Sequence, residues 1–166
     1  RLDTLSKLST LKVGIVITTL ETLSQKLCPT DYIDRYSLSL CVGQTLEIEP
    51  FVDRLIKIGY RRVSTVMEQG EFSIKGALID LYPMGTKYPY RIDLFDNEID
   101  SIRTFKASTQ RSIEVINKIK LLPAREFASD KESISTFKSN YLSEFGNTDG
   151  FIYNEVSEGR FPGGIE

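Results

Sequence analysis

A period of two runs through residues 36–123 and constrains the fold of this chain more than any other feature. Tyr36, Leu38, Leu40 and Val42 alternate with small residues, which is typical of a strand with one buried face. Further runs of strand character cover 63–67, 72–82, 90–95, 98–105 and 113–122. Turn signals at Glu68-Gln69-Gly70, Pro83-Met84-Gly85 and Asp96-Asn97 separate them. We therefore expect an antiparallel β-meander.

One helix interrupts this pattern after the first strand. Pro50 suits the first turn of a helix, and Val52, Leu55 and Ile56 then share one face until Gly59 provides a stop signal. A helix with one apolar face has to bury that face against a neighbour. The predicted fold class is therefore α+β, a meander sheet with a packed helix.

The N-terminal flank has a different pattern. Residues 13–17 form a near-continuous apolar run rich in β-branched residues, which indicates a parallel strand covered on both faces. Thr18 and Glu21 match a capping box, and a helix with apolar positions at Leu20, Leu23 and Leu27 is expected before Pro29. This predicts one strand–helix step of an α/β layer whose other members lie elsewhere.

The C-terminal flank contains a second predicted helix. Ser129 and Glu132 match another capping box, and an apolar stripe continues to Gly146. The sequence then closes on Gly163-Gly164-Ile165-Glu166, where turn residues lead towards a further element. We expect a fragment of a longer protein, with incomplete α/β pieces on both sides of the meander.

Composition excludes several classes of site. The chain has no histidine, so it cannot form a Ser-His-Asp or Cys-His catalytic group or a histidine metal site. Its 21 basic and 23 acidic residues give no electrostatic case for tight duplex binding. Cys28 and Cys41 lack the spacing of a zinc or redox pair, which favours a reduced intracellular protein. Neither a GxxxxGK[ST] nor a GxGxxG loop occurs, and no 18 apolar residues follow one another.

A group of carboxylates, Asp93, Asp96, Glu98 and Asp100, surrounds the predicted turn at 96–97. Such a group suggests acid–base chemistry or a divalent cation. The favoured interpretation is simpler: charged residues at a hairpin tip and along an edge strand keep it soluble and unpaired.

The run 91–95 is more informative, because alternation separates its side chains between two faces. Ile92 and Leu94 are expected on the buried face, which leaves Arg91, Asp93 and Phe95 on the other. A register that sets Ala77 across from Phe95 and Leu81 across from Arg91 adds Lys75 to this outward face. An exposed ring flanked by cations is typical of protein interfaces.

Two alternatives for Phe95 stay open at this point. The ring could pack under a loop or on the helix that begins at Pro50, in which case it belongs to the core. It could also stack on single-stranded nucleic acid, although the neighbouring acids disfavour that.

Several longer runs resemble the bacterial transcription-repair coupling factors, the Mfd family, and are similar to the repair protein UvrB. These runs are GEF at 70–72, KGALIDLYPMG at 75–85, YRIDLFD at 90–96, QR at 110–111 and LLPAREF at 121–127. The resemblance implies that 36–123 is a UvrB-like domain 2 that binds the damage sensor UvrA. Residues 1–35 and 124–166 would belong to a degenerate, RecA-like ATPase domain that has lost its nucleotide site.

The resemblance also implies which residues contact UvrA: Lys75, Arg91 and Phe95, with Asp93 and Ala77 beside them. Lys75 stands where the family often has arginine, so it keeps the charge but loses the planar fork. ATP use, RNA polymerase binding and DNA translocation would lie in other domains of the full-length protein, in the cytoplasm and without membrane contact.

The predicted function is therefore a non-catalytic recruitment module with no cofactor or metal of its own, which brings excision repair to stalled RNA polymerase. The alternative is a piece of a nucleotide-dependent DNA helicase or translocase, built around residues 13–28. A second alternative is direct DNA binding through Arg61, Arg62, Arg103 and Arg111.

Overall fold

The computed structural model describes residues 1–8 and 10–162, with all their side chains except that of Thr30. It divides the chain into two compact units, Arg1–Glu126 and Phe127–Glu166. The helices are α1 (Leu2–Leu8), α2 (Leu20–Ser24), α3 (Thr30–Tyr36), α4 (Ile48–Lys57), α5 (Lys131–Phe145) and α6 (Phe151–Ser157). The strands are β1 (Leu38–Cys41), β2 (Arg61–Arg62), β3 (Glu71–Lys75), β4 (Leu78–Tyr82), β5 (Tyr90–Phe95), β6 (Glu98–Lys106), β7 (Arg111–Ile116) and β8 (Lys118–Leu121).

The first unit is built on a six-stranded sheet in which the strands follow one another in the order β2-β3-β4-β5-β6-β7. The pairs from β3 to β7 are antiparallel, and only the short β2 runs parallel to its neighbour. A separate antiparallel pair joins β1 to β8. The predicted α+β class and the antiparallel meander are therefore confirmed.

The main core lies between α4 and one face of the sheets. Phe51 and Leu55 of α4 are buried in one cluster with strand residues that include Phe72, Ile92 and Leu121. Ile56, which we expected to point inward, is exposed, because positions 51 and 55 of this helix already form the buried face. The predicted helix on the meander is confirmed, although it begins at Ile48 rather than at Pro50.

Three predicted strands of the meander are wrong. The run 113–122 is not one strand, because it is divided between β7 in the six-stranded sheet and β8, which pairs with β1. Residues 63–67 form no strand, since β2 ends at Arg62 and the following segment crosses over the sheet. The run 72–82 is a hairpin of β3 and β4 rather than one strand. Gly76 adopts a φ of +62° between them, a left-handed conformation that glycine reaches without steric cost.

The predicted buried strand at 13–17 is also wrong. This segment has no regular secondary structure, and the side chains of Ile15 and Ile17 are 91% and 92% exposed. No strand in the described part of the chain lies beside it, and a lone extended segment has no partner for its backbone hydrogen bonds. The capping signal after it is displaced by one residue, because Thr19 rather than Thr18 accepts the hydrogen bond from the Thr22 N–H.

The second unit contains α5 and α6. Asp130 caps α5 by accepting a hydrogen bond from the Ser133 N–H at 2.9 Å, and Gly146 ends the helix with a φ of +69°. The predicted end of this helix is confirmed, whereas α6 was not predicted. The expected turn at Gly163-Gly164 lies outside the described residues. The RecA-like character of both flanks and the boundaries at 35/36 and 123/124 stay predictions.

Candidate functional site

The six-stranded sheet has a second face, opposite the main core, which we call the outer face. Residues directly opposite each other on paired strands share a face. Read from β3 to β6, one row of the outer face therefore consists of Ser73, Asp80, Arg91 and Arg103. A second row consists of Lys75, Leu78, Asp93 and Ser101. The structure thus brings Lys75, Arg91 and Asp93 to one face.

The register between β4 and β5 differs from the expected one by a single residue. Asp80, not Leu81, lies opposite Arg91, and Leu81 lies opposite Tyr90. Ala77 does not face Phe95; its carbonyl oxygen accepts a hydrogen bond from the Leu94 N–H at 3.0 Å. The physical reason is that Leu81 is fully buried in the main core, so it cannot share the outer face with Arg91.

The Arg91 side chain is held within the protein. Its Nε and Nη2 donate to the two carboxylate oxygens of Asp80 at 2.7 and 2.8 Å, a bidentate pair that needs the planar guanidinium. The guanidinium also lies 4.6 Å from the centre of the buried Phe105 ring. The hydrogen bonds with Asp80 raise the pKa of Arg91 although burial opposes them, so the group stays charged.

Gln110 closes the other side of this guanidinium. Its main-chain oxygen accepts a hydrogen bond from Arg91 Nη1 at 3.2 Å, and its side-chain oxygen lies 3.5 Å from Nη2. The amide nitrogen of Gln110 donates to the carbonyl oxygens of Ala107 at 2.7 Å and Val66 at 3.2 Å. The turn before β7 and the segment 63–69 are thereby tied together over this half of the outer face.

Asp93 also has intrachain partners. Its carboxylate forms an ion pair with Arg103 and accepts a hydrogen bond from the Ser101 hydroxyl at 3.2 Å. Two of the acidic side chains on the outer face are thus offset by arginines of the same sheet. These paired charges contribute little to the net electrostatic field at this surface.

The opposite end of the outer face is open, and we call its residues Lys75, Ala77 and Phe95 the Phe95 patch. Phe95 is 72% exposed, so the alternative that it packs under a loop or on α4 is wrong. Lys75 and Ala77 are exposed at the hairpin between β3 and β4. Among the described residues, Lys75 has no ion-pair partner. The patch therefore combines an apolar ring with an uncompensated positive charge.

Phe95 owes its position to the turn that follows it. Asp96 and Asn97 have φ values of 46° and 65°, which gives a two-residue hairpin turn of the I′ kind between β5 and β6. The register shift between Asp93 and Leu94 adds a bulge just before the ring. Asp96, Glu98 and Asp100 are exposed around it. Within the described residues, no group of three or more Cys, Asp or Glu side chains could hold a metal ion.

The four arginines considered for DNA binding do not form one surface. Arg61 and Arg62 lie on β2, whereas Arg111 lies on β7 at the other edge of the six-stranded sheet. Arg61 pairs with Glu71, and Arg103 pairs with Asp93. Neutralisation of a phosphate backbone needs clustered free cations, which this arrangement does not supply.

A cleft of about 510 Å³ lies between β1 and the start of α4. Side chains of both charges, Glu47 and Arg54, contribute to its lining. We assign it no ligand. None of the helices within residues 1–8 and 10–162 is long and apolar enough to span a bilayer.

Comparison with known proteins places this surface in a family context. The profile of the UvrB interaction domain matches residues 38–127, which include β1 to β8. The chain is 43% identical over 168 residues to the transcription-repair-coupling factor of Escherichia coli strain K12 and 42% identical over 169 residues to that of Haemophilus influenzae. It is 35% identical over 162 residues to that of Staphylococcus aureus strain MRSA252.

These matches cover 100%, 100% and 95% of the chain, respectively. The chain spans only 15%, 15% and 14% of the relatives' own lengths. The resemblance seen in the runs between residues 70 and 127 is therefore confirmed.

Proposed function

Because the chain belongs to the UvrB interaction domain family, we propose that it is a non-catalytic docking module that binds UvrA through the outer face of its six-stranded sheet. The observation that carries the proposal is the Phe95 patch. A phenylalanine that is 72% exposed at the end of a central strand has no role in the core of its own domain. Exposed aromatic side chains of this kind act as anchors when a partner buries them.

The remaining residues of the surface have distinct roles in this proposal. Lys75 supplies the uncompensated charge, and Arg91 supplies a fixed hydrogen-bond donor in a different row of the same face. Asp93, paired with Arg103, contributes shape more than charge. Arg91 and Asp93 are already paired within the chain, so they cost less to desolvate than isolated charges would.

The test is binding of purified UvrA to this chain and to the triple variant Lys75→Ala, Arg91→Ala, Phe95→Ala. We expect a loss of about a hundredfold or more, because a buried aromatic anchor and its charged neighbours carry several kcal/mol. Phe95→Ala alone is expected to cost about thirtyfold, which corresponds to a typical hot-spot residue. Equal affinity of the chain and the triple variant would overturn the assignment of this face.

A matched control is Phe145→Ala in α5. This ring is 62% exposed and lies outside the family match, so its removal changes the apolar surface to a similar extent at a different place. We expect UvrA binding to stay within twofold of the parent chain, the scatter usual for residues outside an interface. Circular dichroism of each variant checks that the fold is retained.

In the longer proteins that this chain resembles, the module would deliver excision repair to RNA polymerase that has stalled. We assign the polymerase contact, DNA translocation and ATP use to parts outside these residues, in the cytoplasm. The chain itself is proposed to need no cofactor. Calorimetric titration with ATP tests this assignment, and measurable heat of binding would favour the alternative of a nucleotide-dependent helicase fragment.

A further inference from the structure

Four hydrogen-bond contacts within the chain hold the Arg91 side chain on the outer face. Asp80 approaches its guanidinium from β4, and Gln110 approaches it from the turn before β7. Their contacts at 2.7, 2.8, 3.2 and 3.5 Å use four of the five N–H donors of Arg91. The remaining donor belongs to Nη1. The Arg91 side chain is 18% exposed, whereas that of Asp80 is 4% exposed.

On the basis of the proposed function, we propose that Asp80 and Gln110 are positioning residues for UvrA binding: they fix the Arg91 guanidinium so that its remaining donor meets the partner in a preset orientation. Asp80 is too buried to contact a partner. Any effect of Asp80 on binding must therefore pass through Arg91 or through the fold.

The energetic argument concerns conformational entropy. A free arginine loses most of its rotamer freedom when it is immobilised, and an interface has to offset that loss of entropy. Here the loss is already incurred on folding, since the carboxylate fork and the Phe105 ring fix the plane of the guanidinium. Asp80 also compensates the charge of Arg91, so Arg91 acts as a directional donor and Lys75 as the free cation.

Gln110 contributes through its backbone as well as its side chain. Its φ of +58° is rare for a residue other than glycine, and this conformation accompanies the hydrogen bond from Arg91 Nη1 to its main-chain oxygen. The amide nitrogen anchors the same turn to Val66. A strained residue that is held in place by hydrogen bonds on both sides is typical of a functional site.

The experiment measures UvrA affinity of the whole 166-residue chain and its variants by calorimetry, at a temperature where each is folded. Asp80→Asn keeps the shape of the side chain but removes the carboxylate charge that holds Arg91. We expect three- to tenfold weaker UvrA binding, because the interface then has to immobilise one long side chain. In the Arg91→Ala background the same change is expected to have no further effect. A purely structural role of Asp80 would weaken binding in both backgrounds.

The matched control is Glu71→Gln, which alters another buried carboxylate of the same sheet that has no contact with Arg91. It is expected to lower stability but to leave UvrA affinity within twofold. If Asp80→Asn does not fold, Gln110→Gly carries the test, because glycine accepts the left-handed backbone while the side-chain contacts are lost. We expect about threefold weaker binding for it.

A spectroscopic readout is independent of the partner. In the parent chain the Arg91 Nε–H resonance should exchange slowly with solvent, and it should exchange quickly in Asp80→Asn. Parent-like affinity of both Asp80→Asn and Gln110→Gly, with Phe95→Ala still impaired, would overturn the positioning roles alone. Absence of UvrA binding by the parent chain would overturn the proposed function and this inference together.

Discussion

Glu71 is a buried carboxylate at the first residue of β3, and three donors surround it. It accepts hydrogen bonds from the backbone N–H groups of Met67 and Glu68, both at 2.9 Å, and from Arg61 at 2.6 Å. Burial alone would raise its pKa, but these hydrogen bonds and the Arg61 charge lower the pKa of Glu71 below its ordinary value. The ionised form is therefore favoured by folding.

We predict that Glu71→Gln lowers the free energy of unfolding by about 1–3 kcal/mol at pH 7, the cost of disrupting a buried charged hydrogen-bond group. A lowered pKa in the folded state stabilises the protein fully above the pKa of the unfolded chain. This stabilisation is lost as the pH falls through the lower pKa of the folded state. Urea unfolding at pH 7 and at acidic pH measures both effects.

The exposed neighbour Glu68 provides the control. Glu68→Gln is expected to change stability by less than about 0.5 kcal/mol, because its side chain is exposed. The difference between parent and Glu71→Gln should shrink in acid. A difference that is unchanged with pH would contradict the assigned role of the carboxylate.

The sequence predicts the faces of Arg91 and Phe95 because a period of two needs no tertiary information. It does not predict what holds Arg91. Asp80 faces it only in the actual register, and Gln110 reaches it from a turn 19 positions along the chain. One signal was available: Asp80 interrupts an otherwise apolar strand, and a buried charge requires a partner of opposite sign.

At the scale of elements, the two-residue turn between β5 and β6 fixes the position of Phe95. Asp96 and Asn97 both adopt left-handed conformations, and the Asn97 carbonyl oxygen accepts a hydrogen bond from the Leu46 N–H at 2.7 Å. This turn therefore joins the central hairpin to the segment that precedes α4. Its φ values suit Asn, Asp and Gly and strain β-branched residues.

We predict that Asn97→Val lowers the free energy of unfolding by about 1–2 kcal/mol, since valine is strained at positive φ. Asn97→Gly is expected to be neutral or to stabilise by up to about 1 kcal/mol, because glycine is favoured at this turn position. Denaturant titration of both variants measures the difference. Equal stability of the two would show that the backbone conformation at residue 97 carries no cost.

Element type was easier to predict than register or pairing. Apolar periodicity identified α4, α5 and most of the meander, because those patterns are local. The register between β4 and β5 depends on the connection 83–89, whose turn residues do not show which positions face each other, and a slip of one residue moves side chains to the other face. The helix α3 has only seven residues, too few for a clear period.

At the scale of the whole molecule, the most exposed apolar segment belongs neither to the rows of the outer face nor to the Phe95 patch. Val13, Ile15 and Ile17 are each more than 90% exposed, and Leu20 of α2 is 84% exposed. The run 13–17 contains no charged residue and is rich in β-branched side chains. Short segments of this composition promote association between chains when they are exposed.

We predict that the isolated chain self-associates through this segment and that Ile15→Glu with Ile17→Glu suppresses the association. The two side chains make no contribution to the core, so the thermal midpoint and UvrA affinity should stay at the parent values. The control Ser135→Glu with Ser139→Glu adds the same charge on exposed positions of α5. Sedimentation velocity over a range of concentrations measures the association of both variants. Only the first variant removes apolar surface, whereas both add negative charge, so the comparison separates the two effects. Equal suppression of association by the control would show that net charge, not the segment 13–17, is responsible. An unchanged UvrA affinity of Ile15→Glu with Ile17→Glu would still show that the segment is distinct from the Phe95 patch.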